Sequence, residues 1–146
     1  MSAAQIELLF PELKLSGYRI TSAPTPSYNC FAWAGGDTRN WWQPLALGGY
    51  YWPPEIPNEL TLENLVAVYA RLGYLRCDSA ELEPAVEKIA IYVQADGTPA
   101  HAARQTDSGA WTSKLGELED VEHPTLGSLK SFYGEIRQVL KRPRRA

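Results

Sequence analysis

Cys30 and His101, 71 positions apart, are the two residues of this chain that combine the chemistry of a nucleophile with that of a base. A catalytic thiol must become thiolate near neutral pH and needs a base to carry its proton. The residues around Cys30 address the first need. Ser27 and Asn29 are helix-capping types, and Cys30-Phe31-Ala32-Trp33-Ala34, closed by Gly35-Gly36, reads as a short helix. Cys30 then stands in a first helical turn, where unpaired N–H groups and the helix dipole favour an anion. The N–H groups of Cys30 and Phe31 would also face a developing oxyanion. His101 addresses the second need from a strand, Ala100–Gln105, as general base and then acid.

The elements that must position this pair follow from local patterns. Pro24 and Pro26 hold 23–27 extended ahead of the Cys30 helix. Residues 37–60 carry Trp41, Trp42, Tyr50, Tyr51 and Trp52 among glycines and prolines, which suits an ordered loop whose rings pack on the domain and wall a groove. Thr61 caps a helix in which Leu62, Leu65, Val66, Tyr69 and Leu72 recur at helical spacing until Gly73. A meander follows: Lys88–Val93, a hairpin turn at Asp96-Gly97, the His101 strand, a turn at Asp107-Ser108-Gly109, and Trp111–Leu115. Glu117–Glu122 reads as a solvated acidic loop, with His123 in it, Thr125–Phe132 as a short helix and Tyr133–Leu140 as a last strand. Helices first and antiparallel strands later make an α+β fold.

The third member of a triad depends on one turn. A three-residue turn at Asp107–Gly109 pairs Ala103 with Ser113 and places Ser113 on the face of His101; a two-residue turn at Ser108-Gly109 places Thr112 and Lys114 there. Ser113 is the choice for orienting His101, and Lys114 beside the pair suits an anionic substrate group. Trp41 and Trp42, directly after the nucleophile helix, are candidates for the wall of a substrate groove. Cys77, with no capping residue before it, reads as structural, and Asp37 as a turn former.

The blocks Tyr28-Asn29-Cys30-Phe31-Ala32-Trp33-Ala34, Gly36-Asp37, Trp41-Trp42 with Pro44, His101-Ala102-Ala103-Arg104-Gln105 and Trp111-Thr112-Ser113-Lys114-Leu115-Gly116 resemble the pattern of an uncharacterised family of small bacterial domains over roughly residues 25–142. That family in turn resembles the papain-like cysteine hydrolases, among them cell-wall amidopeptidases and toxin domains. The resemblance implies a papain-like α+β fold, with a nucleophile helix followed by an antiparallel sheet carrying the histidine and a polar residue on the next strand. It implies attack of Cys30 on an amide or ester carbonyl, a covalent thioester, and release to water, an amine or another acceptor, as in peptidases, amidases, deamidases and transglutaminases. Papain proper has a glutamine shortly before its cysteine to bind the oxyanion. Here Pro24 and Thr25 occupy that stretch, and Asn29 is the nearest amide, a substrate contact that equally suits a cap.

Composition narrows the alternatives. The 146 residues suit one domain, 1–146, with a basic flexible tail at 141–146. Residues 1–140 hold ten basic against seventeen acidic side chains, a net −7 that disfavours a nucleic-acid groove. No run approaches the roughly 18 apolar residues of a membrane span, and Met1–Glu7 lacks the features of a secretory signal, so the expected location is cytoplasmic with reduced thiols. Cys30, Cys77, His101 and His123 lie 47, 24 and 22 apart, without the close ligand pairs of structural zinc. There is no phosphate loop and no Gly-x-Ser-x-Gly elbow. No metal or organic cofactor is implied. The expected partner is a peptide or protein substrate. The competing expectation is a non-catalytic immunity or adaptor domain that meets a protein partner through the aromatic loop 41–54.

Overall fold

The computed structural model describes residues 3–44 and 51–144. Two helices, α1 (Ala3–Leu9) and α2 (Pro11–Ser16), lead into edge strand β1 (Arg19–Ser22). Helices α3 (Cys30–Ala34) and α4 (Leu62–Ala70) then precede β2 (Leu75–Cys77), β3 (Val86–Val93), β4 (Pro99–Gln105), β5 (Trp111–Lys114) and β6 (Asp120–His123). A 3₁₀ turn (Leu126–Leu129) runs into α5 (Lys130–Tyr133), and β7 (Glu135–Pro143) closes the chain. The fold is α+β, built on one seven-stranded antiparallel sheet in the order β1-β6-β5-β4-β3-β7-β2.

Local chemistry explains the elements that sequence patterns locate. Asn29 caps α3 by accepting from Ala32 N–H, and Thr61 caps α4 by accepting from Asn64 N–H. The β3–β4 hairpin closes at Asp96-Gly97, where Gln94 N–H donates to Thr98 and the Asp96 carboxylate accepts from Thr98 N–H. In the next hairpin Arg104 pairs with Thr112 and Gln105 with Trp111. That is the register of the three-residue turn, so Ser113 does share a face with His101.

Both faces of the sheet are covered, which explains why β3 reads as a continuous apolar run. On one face Ile89, Ile91, Val93, Ala102 and Leu140 pack under Cys30, Phe31, Ala32 and Ala34 of α3, with Leu65, Val68 and Tyr69 of α4 beside them. On the other face Ala90, Tyr92, Ala103, Trp111, Val121 and Val139 pack under Ile6 of α1, Phe10 between the two helices and Leu13 of α2, and under Leu129 and Tyr133. Residues one apart on a strand therefore enter different cores.

Two expectations change. Asp120–His123 is strand β6, not a solvated loop; Asp120, Val121 and His123 are buried there. Lys141–Pro143, expected in a flexible tail, are the end of β7: Arg142 pairs with Glu87 and donates to Leu72 O at 2.7 Å. Arg145 and Ala146 lie outside the described residues. The α1–α2 pair and β2, each too short for a clear period, emerge only through packing.

Candidate functional site

Cys30 opens α3 as its spacing predicts, but its surroundings work against the expected thiolate. Burial pushes the thiol up to about 12, and the amides of Ala102, Phe31 and Cys30 itself, with the Lys114 charge, offset this only partly. A five-residue helix offers little dipole against the desolvation of an anion in a packed core.

His101 is fully buried on the opposite face of the sheet. It stands across from Tyr92 in the β3–β4 pairing, its ring stacks on Tyr133 with centroids 4.0 Å apart and 9° between planes, and Tyr92 meets it edge-on at 5.3 Å. Ala102, its neighbour, is the residue that joins the core containing Cys30. Neither ring nitrogen of His101 has a hydrogen-bond partner among the described residues, so no Cys30–His101 bond exists. Burial, reinforced by His123, drives its pKa well below the ordinary histidine value and keeps it neutral.

Ser113 shares the His101 face but serves another histidine. Its hydroxyl lies 2.8 Å from His123 Nε2, and His123 Nδ1 lies 2.8 Å from the carbonyl of Thr125. A carbonyl only accepts, so Nδ1 carries the proton, and Ser113 donates to Nε2. His123, expected in a loop, is a buried member of this network. The expected triad is therefore replaced by two separate arrangements: a packed thiol on one face, and a neutral histidine with a Ser113–His123–Thr125 chain on the other.

On the Cys30 face the buried charged residues include Lys114 and Asp120. Tyr28 donates to Asp120 at 2.7 Å, and Lys114 Nζ sits 5.4 Å from the Tyr28 ring centre while donating to Gly116 O at 2.6 Å. Burial lowers the Lys114 pKa, and Asp120 is the largest influence raising it again.

Asn29, a candidate substrate contact, is engaged by three hydrogen bonds within the fold. Its oxygen accepts from Ala32 N–H (3.1 Å) and Trp42 N–H (3.2 Å), and its Nδ2 donates to Trp42 O at 2.7 Å. It thereby ties the start of α3 to the aromatic segment. Trp42 and Trp52 are buried, Trp42 against Tyr51 and Tyr69, and Trp52 donating to Pro57 O at 2.9 Å. Trp41 is half-buried and bonded to Gln43. Residues 45–50 of the aromatic loop lie outside the described residues.

What this segment does build is a groove of about 420 Å³, lined by Gly35–Asn40, Trp42, Tyr51 and Leu72. Asp37 organises it: its carboxylate accepts from Arg39 N–H (2.8 Å), Asn40 N–H (3.1 Å), Asn40 Nδ2 (3.0 Å) and Trp42 Nε1 (2.8 Å). These donors outweigh partial burial and hold its pKa below the usual carboxylate value. Of Asn29, Trp41 and Trp42, only Trp42 lines this groove. Tyr51, expected among the groove-walling rings, does line it, whereas sequence patterns missed Gly35, Arg39 and Leu72 as its walls; the Asp37-to-Asn40 turn was the available signal. A Cβ on Gly35 would fall 2.6 Å from Trp42 Cη2 and 3.2 Å from Leu72 Cδ1. Gly35→Ala is expected to push the Trp42 ring outward, costing about 1–3 kcal/mol and changing tryptophan fluorescence. An unchanged spectrum and urea midpoint would refute that packing.

Among the described residues, no group of three or more His, Cys, Asp or Glu is placed to hold a metal, and no helix is long and apolar enough to cross a membrane. No curated protein and no solved structure matches the chain. A family model for a domain of unknown function, DUF7689, matches residues 19–141, from the start of β1 into β7, leaving α1 and α2 before the matched region. The chain thus belongs to the DUF7689 family.

Proposed function

We propose that this chain is a non-catalytic binding domain that presents the groove between the Gly35–Asn40 turn and the side chains of Trp42 and Tyr51 to another protein, with Cys30 and His101 as packed parts of the fold. The observation that carries this reading is the separation of the two reactive groups. The sulfur belongs to the α3-facing core, and the imidazole is stacked on Tyr133 without a polar partner. A neutral, enclosed imidazole cannot take a proton from a thiol it does not touch. The open, polar-and-aromatic concavity lies elsewhere, braced by Asp37 and Asn29.

The papain-like reading keeps one supporting observation: Cys30 stands at the start of a capped helix with amides directed at its sulfur. In that reading α3 and β4 rearrange to bring sulfur and ring together, and an acyl thioester forms on Cys30.

Native protein treated with iodoacetamide at neutral pH separates the two. A binding domain leaves Cys30 unmodified while half-buried Cys77 reacts slowly, and His101→Ala does not slow any labelling. Selective alkylation of Cys30 below the ordinary thiol pKa of about 8.5, lost in His101→Ala, would restore the enzyme reading. The groove is tested with a photocrosslinking residue at exposed Thr38 and a control at exposed Asp96. Discrete protein adducts in the source cell are expected from position 38 only, and equal patterns from both positions would reject the groove as the interface.

A further inference from the structure

We infer that His101 is an acid-sensitive latch: when it takes up a proton, the α1–α2 pair lifts off the sheet while the strands stay paired. The latch lies on the face opposite α3 and does not depend on the binding-domain reading.

The α1–α2 pair is the cover that can leave. It adds no strand to the sheet and reaches β1 through Gly17, whose φ is 82° and where a Cβ would meet nothing within 4 Å. Its hold on the sheet is apolar, through Ile6, Phe10 and Leu13. Polar contacts lie at its edge: Glu7 accepts from Tyr18 at 2.7 Å, Glu12 accepts from Ser131, and Ser16 accepts from Ser128 at 2.8 Å. The other cover, α5, is tied down, because Gly134 abuts the Val93 main chain and leads directly into β7.

His101 sits where the apolar hold can be broken. Phe10 packs on Tyr133 with ring centres 5.5 Å apart, and Tyr133 stacks on His101. The groups that face the imidazole are Tyr92 from β3, Ser113 from β5, His123 from β6 and Tyr133 from α5, and α1 and α2 bring Ile6, Phe10 and Leu13 into the same core. No carboxylate stands among them, and the charge of His123 opposes one on His101. An imidazolium enclosed there would hold two N–H donors with no acceptor among the described residues. Water has to reach it, and the least tethered cover gives way first. His123 does not force the same opening. Ser113 can turn its hydroxyl to accept from a protonated Nε2, and Nδ1 keeps the Thr125 carbonyl. The strands keep their main-chain pairing and the core on their other face.

Thiol labelling of the full chain tests the latch, using a pyridyl disulfide active in acid, with rates normalised to a model thiol at each pH. Ala103→Cys places a thiol two residues from His101 on the same face, at a fully buried position; Ala90→Cys on β3 is the second choice of site. Cys30, in the opposite core, reports opening of the whole domain. In the open state His101 regains its ordinary pKa of about 6.5, so labelling at position 103 is expected to rise about thirtyfold from pH 7.5 to 5. Position 103 labels faster than Cys30 at both pH values, and Leu13→Ala speeds it further. His101→Phe and His101→Leu remove the acid rise. Four outcomes overturn the inference: no acid rise, a rise retained in both His101 variants, equal normalised rates at positions 103 and 30, or no effect of Leu13→Ala.

Discussion

Replacing His101 with phenylalanine is expected to leave the protein at least as stable at neutral pH and distinctly more stable at pH 5. The side chain is fully buried, and both its nitrogens lack hydrogen-bond partners among the described residues. A buried polar group without a partner costs roughly 1–3 kcal/mol, and an apolar ring of similar shape removes that cost. Phenylalanine retains the stack on Tyr133 and the edge contact with Tyr92. His101→Leu is the smaller second variant should the extra ring volume strain the site.

The pH dependence follows from linkage. Burial depresses the pKa of His101 and, despite the Thr125 carbonyl and Glu122, that of His123. The unfolded chain therefore binds protons that the folded chain refuses, starting near the unperturbed value of about 6.5. Stability is complete above that pH and falls as pH drops below it, by up to about 1.4 kcal/mol per pH unit for each histidine. Carboxylates whose pKa values are lowered, Asp37 and Asp96 among them, begin to matter only near their own lower unfolded values. The interval between about pH 6.5 and 5 thus belongs to the histidines. Urea midpoints at pH 7.5 and 5 should fall steeply for the parent and less steeply for His101→Phe. Equal slopes in the two proteins would show that His101 is not held neutral in the fold.

The larger single effect is expected at Gly134. It joins α5 to β7 with φ 99° and ψ −157°, a backbone region that residues with a Cβ rarely enter. An added Cβ would fall 2.1 Å from the carbonyl oxygen of Val93 and 2.9 Å from its carbon. The obstacle is main chain at the end of the interior strand β3, which no rotamer change relieves. Relief requires β7 to move away from β3, although the two pair from Val86–Pro143 through Val93–Glu135, and β2 depends on β7 for its only pairing among the described strands. Gly134→Ala is therefore expected to cost more than about 4 kcal/mol, a large part of a typical domain's stability of about 5–15. Gly97→Ala is the control: its φ is also positive, but the space around it is open, and about 1 kcal/mol is expected. A Gly134→Ala midpoint no lower than that of Gly97→Ala would contradict the close β3–α5 junction.

Much of the scaffold is legible from local chemistry. Asn29 and Thr61 are side chains that satisfy orphaned N–H groups, and helices begin beside them. Asp96-Gly97 accommodates a left-handed turn, and a hairpin closes there. The period of two along β4 already states that His101 and Ala102 point to opposite sides. These interactions span a few residues, so a few residues specify them.

Which side α3 covers is another matter, because it depends on the summed burial of apolar groups from distant segments. Once α3 and α4 occupy the Ala102 face, Cys30 is sealed with its thiol neutral, and His101 is left to the core that α1, α2 and Tyr133 complete. The same long-range packing turns Asp120-Val121-Glu122-His123 from an acidic run into a strand. Asp120 there meets Tyr28 from 92 residues away, and His123 takes the serine expected for His101. The chain's own residues determined the caps, the turns and the alternation of faces. Tertiary structure decided which faces meet, since desolvation and proximity are properties of the assembled core and have no local period to read.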